Sequence, residues 1–164
     1  HIVIDPSPTA RLCAWGGGRG HLEAYASATA VAFRAREQLA AGAASALATE
    51  VDSVTAKKIF EAASAGDAWS LKIIEETADY LAVGIATMVH MVDPGLVVLG
   101  GAMNFGGAAS PVGRHFLERI RSSFRNRSFD YVARGTTIDF ASLGSDAGYL
   151  GAAGIARMEY QNKQ

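Results

Sequence analysis

Leu71, Ile74, Ala78, Leu81, Ile85, Met88 and Val92 recur every third or fourth residue, and nothing else in the chain constrains its fold as tightly. That period is the apolar stripe of an α-helix. Asp67 stands at its start as an N-cap, and Asp93-Pro94-Gly95 stops it, because a proline pushes its predecessor out of the helical region. The tail of the helix is apolar on more than one face, at Ile85, Met88, Val89, Met91 and Val92, which predicts packing in the middle of a domain. Leu96-Val97-Val98-Leu99 follows as an unbroken apolar run. Such a run suits a strand of a parallel sheet buried on both faces, and it empties straight into Gly100-Gly101.

The flanking segments repeat the same alternation. Ile2-Val3-Ile4 predicts a short strand, followed by a long loop imposed by Pro6, Pro8 and Gly16-Gly17-Gly18-Arg19-Gly20. A helix is predicted from about Leu22 to Leu39, ended at 40–42, and a second from Ser53 as N-cap to a break at Gly66. Pro111, at an N1-like position, opens a helix through about Phe124. It turns Phe116, Leu117 and Ile120 inward and Arg114, Arg119 and Arg121 outward, and Arg125, Arg127 and Arg134 extend a local basic cluster. Residues 136–140 read as a strand, and Asp146 as the cap of a small-residue helix ending near Tyr160. Strand, helices, strand, helix, strand, helix is the order of an α/β domain. At 164 residues, 49% of them hydrophobic, the chain can bury a core of its own.

Several function classes are excluded. Fifteen Lys plus Arg against sixteen Asp plus Glu leave a net charge of -1, so a nucleic-acid surface built on bulk positive charge is not expected. Cys13 is the single cysteine, which rules out an intramolecular disulfide scaffold and is compatible with a cytoplasmic location. No window approaches the roughly 18 uninterrupted apolar residues of a membrane span. The chain opens on His1 rather than Met and runs directly into an apolar stretch, as though cut within an element.

Chemistry is concentrated in three places. His1, Cys13, His21 and Glu23 surround the glycine loop. Cys and His suit zinc, but a closed structural site takes four such donors, and scattered ones are more often incidental. Glu23 also has an ordinary role, as a carboxylate at the positive end of a helix. Gly100-Gly101 stands at the end of the apolar strand, where backbone N–H groups can receive phosphate oxygens, although a tight turn accounts for it equally well. The third place is Leu143-Gly144-Ser145-Asp146-Ala147-Gly148, followed by Gly151-Ala152-Ala153-Gly154, which favours close helix packing. There is no Walker phosphate loop, no dinucleotide fingerprint at workable spacing, and no local signature of a Ser-His-Asp or Cys-His nucleophile.

Taken in order, these segments resemble the ROK family of bacterial sugar kinases and sugar-responsive repressors. His1 is similar to the last residue of the family's Glu-x-Gly-His segment. Residues Cys13 to Ser27 resemble its Cys-x-Cys-Gly-x-x-Gly-Cys-x-Glu loop and Tyr-Ala-Ser helix, with one extra residue. Thr77 to Ile85, then Val92 to Gly101, resemble its long helix and Asp-Pro-x-x-Ile-Val-x-Gly-Gly strand, and Leu143 to Ala153 its terminal segment.

The resemblance implies an actin-like, ribonuclease-H-like ATPase fold of which residues 1–164 form the C-terminal lobe, with a sugar in the cleft between two lobes. By carry-over, His1 and Glu23 hydrogen-bond sugar hydroxyls, and Gly100 and Gly101 approach ATP, whose phosphates carry Mg2+. In the family a histidine and three cysteines hold zinc. Here His1 and Cys13 remain, His21 can replace the last cysteine and Trp15 cannot coordinate, so either zinc is lost or a less regular site survives. The Asp-x-Gly-Gly-Thr segment and the general-base aspartate belong to the N-terminal lobe, which is absent from this chain, so the chain alone is expected to be inactive. An ATP-dependent hexose kinase of glucokinase type is the leading expectation. A sugar-sensing repressor with an upstream helix-turn-helix is the alternative, and a homodimer is expected in either case.

Overall fold

The computed structural model describes residues 1–14, 16–101 and 103–163, with Ser145 by its main chain only. Ile2-Val3-Ile4 does not form the expected strand; Val3 makes a single antiparallel bridge to His21, and Leu12 another to Arg19. The helix expected over Leu22 to Leu39 is two, α1 (Glu23–Ala26) and α2 (Ala28–Ala40). They part at Ser27, whose backbone is extended and whose hydroxyl accepts from Ala30 N at 3.1 Å, capping α2. Helix α3 (Ala56–Ser64) is capped by Thr55 rather than Ser53, because residues 51–53 close a 3-10 turn first.

Helix α4 (Ala68–Val92) runs for 25 residues between the expected cap at Asp67 and the stop at Asp93-Pro94-Gly95. Its cap is Asp67, whose carboxylate takes Ser70 N at 2.9 Å and the hydroxyls of Ser70 and Ser45. Burial pushes this carboxyl up, but the hydrogen bonds outweigh it and hold it below the usual carboxylate range. A depressed folded pKa contributes stability that is complete above the unfolded pKa and is lost as pH falls through the folded value. Asp67→Ala is therefore expected to cost about 1–2 kcal/mol at neutral pH. Denaturant unfolding of the full-length protein should show that difference shrinking at acid pH; a gap constant across pH overturns the assignment.

Strand β1 (Leu96–Leu99), α5 (Pro111–Arg125), an unanticipated short α6 (Asp130–Gly135), β2 (Thr137–Phe140) and α7 (Ala147–Gln161) complete the chain. The core lies where α4 meets α5: Ile73, Ile74, Ala78 and Ala82 pack into one cluster with Phe116, Ile120 and Phe124. Alanines on α4 let the bulky residues of α5 come close. At the rim of that interface His115 Nε2 lies 2.7 Å from Glu75, and Arg119 makes a two-point contact with Asp79 at 2.9 and 2.7 Å. The basic cluster read from the sequence is spent on such ties. Arg121 donates to Ile138 O, Arg125 to Glu118, Arg127 to Ser123 and Arg134 to Asp130. Arg34, buried on α2, donates to Glu76, Ile73 O and Thr77 Oγ1 of α4.

β1 and β2 pair in parallel, Leu96 opposite Thr137 through Leu99 opposite Phe140. Val97, Leu99, Ile138 and Phe140 pack on the core, whereas Leu96 and Val98 are 57% and 52% exposed. The expectation of a strand buried on both faces is thus half met, because the described residues supply only one covering layer. Met88, Met91 and Val92, at the end of α4, are exposed for the same reason. Helix α7 buries none of its residues, and the side chain of Asp146 makes no capping bond to it. Among the described residues no helix is long and apolar enough to cross a membrane.

Candidate functional site

Residues 1–23 fold as three legs laid side by side. The first (1–5) joins the third (18–23): Ile4 N and Asp5 N both donate to Gly20 O, at 2.8 and 3.3 Å, and Leu22 N donates to Ile2 O at 2.9 Å. The second (10–13) joins the third through Gly20 N to Arg11 O at 2.9 Å and Cys13 N to Gly18 O at 3.1 Å. Gly20 is the crossing point. Its φ is +75° and a Cβ there would lie 1.9 Å from Asp5 O, so only glycine fits. The assembly docks on α4 at Gly84, where a Cβ would meet Leu22 Cδ2 at 2.5 Å.

Each leg contributes one member of a His-Cys-His group. His1, Cys13 and His21 present ligand atoms that all lie within 4.8 Å of one another, the two imidazoles 5.4 Å apart at their centres. Cys13 is buried, and His21 Nδ1 is buried without a hydrogen-bond partner among the described residues. Two imidazoles and a thiol are a chemically sound donor set for zinc, one short of the four that a closed structural site takes. Trp15, which stands where the family pattern has a cysteine, lies outside the described residues.

Glu23, the first residue of α1, lies two residues beyond His21. Its Oε1 is 3.2 Å from the main-chain nitrogen of His1, and its Oε2 is buried with no hydrogen-bond partner among the described residues. Burial pushes the carboxyl up. Its own backbone N–H and the nearby His21 pull it the other way. At neutral pH it is an ionised acceptor short of a donor.

The second group forms at the carboxyl end of β1, the end at which open α/β sheets take ligands. Gly100 and Gly101 are exposed there, and Gly101 has φ +97°. Phe105, further along, is a buried residue held at φ 50° with its ring edge-on to Phe116 at 4.8 Å. Met103, Phe105 and Gly106 of this loop, with Phe60 of α3 and Ala28 of α2, line an open cavity of about 460 Å³. A larger hollow of about 610 Å³, lined by Asp93, Pro94, Asp130 and Tyr131, lies at the opposite end of the strands.

A sequence model of the ROK family matches residues 1–159. The chain belongs to the ROK family. It is 34% identical over 162 residues to a glucokinase of Halalkalibacterium halodurans, covering 97% of this chain and 47% of that one. Among solved structures it is similar to a ROK family glucokinase from Streptomyces griseus in complex with glucose and AMPPNP, at 30% identity and a TM-score of 0.78, covering 96% of this chain and 50% of the other. It is also similar, at 26% identity and a TM-score of 0.70 over 85% of this chain and 33% of the other, to a ROK family transcriptional regulator homologous to the E. coli MLC protein. The ROK chain spans about half the length of the curated relatives it matches. Its α/β architecture with a parallel sheet is that of the actin-like ATPase fold of these structural neighbours.

The loop brings His1, Cys13, His21 and Glu23 together, and Gly100 and Gly101 lie at the end of β1. Sequence reasoning missed the cavity wall at Phe60, Met103 and Phe105, because these residues come from two segments far apart in the chain. It also passed over Tyr25 and Asp5, which look like an ordinary helix residue and an ordinary loop residue until the legs are assembled.

Proposed function

We propose that this chain is the C-terminal sugar- and ATP-binding lobe of an ATP-dependent hexose kinase of glucokinase type. The observation that carries this reading is the loop that seats His1 beside Glu23, with Oε2 of Glu23 buried and unpartnered. A sugar hydroxyl is a donor of the right kind for that oxygen, and such a bond to a charged acceptor is among the stronger ones in a protein. The His1 imidazole supplies a second polar contact to the same sugar. Gly100 and Gly101 leave space for the ATP phosphates to approach the backbone at the end of β1, with Mg2+ on the phosphates. The apolar cavity beside them suits the nucleotide base.

In-line phosphoryl transfer needs the acceptor hydroxyl, a base and the γ-phosphate held together. This chain's residues bind and orient the two substrates. The base, an aspartate by family resemblance, belongs to the preceding lobe of the same polypeptide, the partner that closes the cleft. His1, Cys13 and His21 are the residues that would hold a zinc ion, which would stiffen the sugar-binding loop.

Coupled measurement of ADP formation by the full-length protein with a panel of hexoses tests the reading. Sugar-stimulated turnover is expected, and its absence across the panel overturns it. The similarity to a transcriptional regulator favours one competing reading, in which the same sugar pair senses an inducer and an upstream helix-turn-helix reads DNA. Sugar-dependent release from DNA without turnover would establish that alternative.

A further inference from the structure

Tyr25 is buried in α1, four residues beyond His21 and two beyond Glu23, and its hydroxyl does two things at once. It donates to Asp5 Oδ2 at 2.6 Å and accepts from Arg11 N at 3.0 Å. Asp5 lies on the leg that begins with His1, and Arg11 on the leg that carries Cys13. Backbone bonds tie each of those legs to the third leg, at Gly20, Leu22 and Gly18, but among the described residues none ties the first directly to the second. The hydroxyl of Tyr25 therefore closes the third side of a triangle whose other two sides are backbone. Asp5 is itself oriented for this, its other oxygen taking Ser7 N at 3.0 Å. The Tyr25 ring is braced from behind by Tyr80 of α4, 4.7 Å away, over which Arg34 lies at 5.2 Å.

We infer that Tyr25 is a positioning residue, whose hydroxyl sets the distance between the His1 leg and the Cys13 leg and so fixes the geometry of the His1, Cys13 and His21 donor set. The inference rests on the proposed metal role of those donors. The physical ground is that a three-point site tolerates little error in donor spacing, and loss of a partner that orients the ligands typically costs about 10- to 100-fold in metal affinity. A packing role alone would be shared by the whole ring and by Tyr80, whereas positioning belongs to the hydroxyl.

Cobalt(II) titration of the metal-free full-length protein, followed by its thiolate charge-transfer absorption, separates these. Tyr25→Phe and Asp5→Ala are expected to bind cobalt about tenfold more weakly with unchanged far-ultraviolet circular dichroism. Tyr80→Leu removes the bracing ring but none of the hydroxyl's bonds, and should bind as the unmodified protein does. Equal affinity in Tyr25→Phe, or an equal loss in Tyr80→Leu, overturns the inference; if Tyr25→Phe does not fold, Asp5→Ala makes the same test from the other end of the bond. No cobalt uptake by the unmodified protein would instead remove the metal reading. The inference is then decided by alkylation of Cys13, read on its peptide by mass spectrometry: several-fold faster reaction in both variants supports it, and unchanged rates overturn it.

Discussion

Phe116→Ala is expected to lower the unfolding free energy by about 3–5 kcal/mol, the usual cost of emptying a fully packed aromatic site. Phe116 is only 2% exposed and belongs to the core cluster formed where α4 meets α5, so its removal leaves a cavity that neighbouring residues fill only in part. The loss also reaches the strand end. Phe105 holds a left-handed backbone that costs a non-glycine residue about 1–3 kcal/mol, and its edge-on contact with Phe116 offsets part of that cost. Without Phe116 the loop after Gly100-Gly101 should relax and the cavity wall at Met103 and Phe105 should shift. Urea unfolding and calorimetric titration with a non-hydrolysable ATP analogue check both halves. A stability loss below about 1 kcal/mol would show that the site is not packed as described.

Glu23→Gln in the full-length protein is expected to weaken sugar binding by about tenfold to a hundredfold, since a hydrogen bond to a charged group contributes about 1.5–3 kcal/mol. A glutamate carboxylate carries its charge at neutral pH, and Oε2 is buried without a hydrogen-bond partner among the described residues, so it is open to a sugar hydroxyl. Gln keeps the shape and removes the charge. Unfolding measured alongside separates a loss of binding from a loss of stability caused by weakening the contacts of Oε1. Tryptophan fluorescence or calorimetric titration with the hexose that best stimulates turnover measures the effect, and an unchanged Kd counts against Glu23 as a sugar ligand.

The two groups differ in how far they could be read in advance. Gly100-Gly101 follows an apolar run and a proline-stopped helix, and each of those signals is local, so the strand, the turn and their order were legible before any tertiary contact was known. The loop was legible only as a collection of chemically suggestive residues. His1, Cys13 and His21 lie on three legs whose proximity depends on Gly20 admitting Asp5 O and on Gly84 admitting Leu22. Neither approach leaves a periodic trace. Arg34 is a similar case: its sequence context suggests an exposed helix face, yet contacts with Glu76 and Thr77 bury it.

By itself the sequence determined the α4 helix, its caps, the strand that follows, the α/β class and the family, because backbone propensity, hydrophobic period and motif order are properties of neighbouring residues. Tertiary structure alone decided that one helix breaks at Ser27, that β1 is covered on one face within these residues, that the arginines of α5 are structural ties, and that the donors of three separate legs meet within 4.8 Å. Those outcomes depend on which distant surfaces come into contact. Here that contact is permitted at a few glycines and held, between the His1 and Cys13 legs, by the hydroxyl of Tyr25.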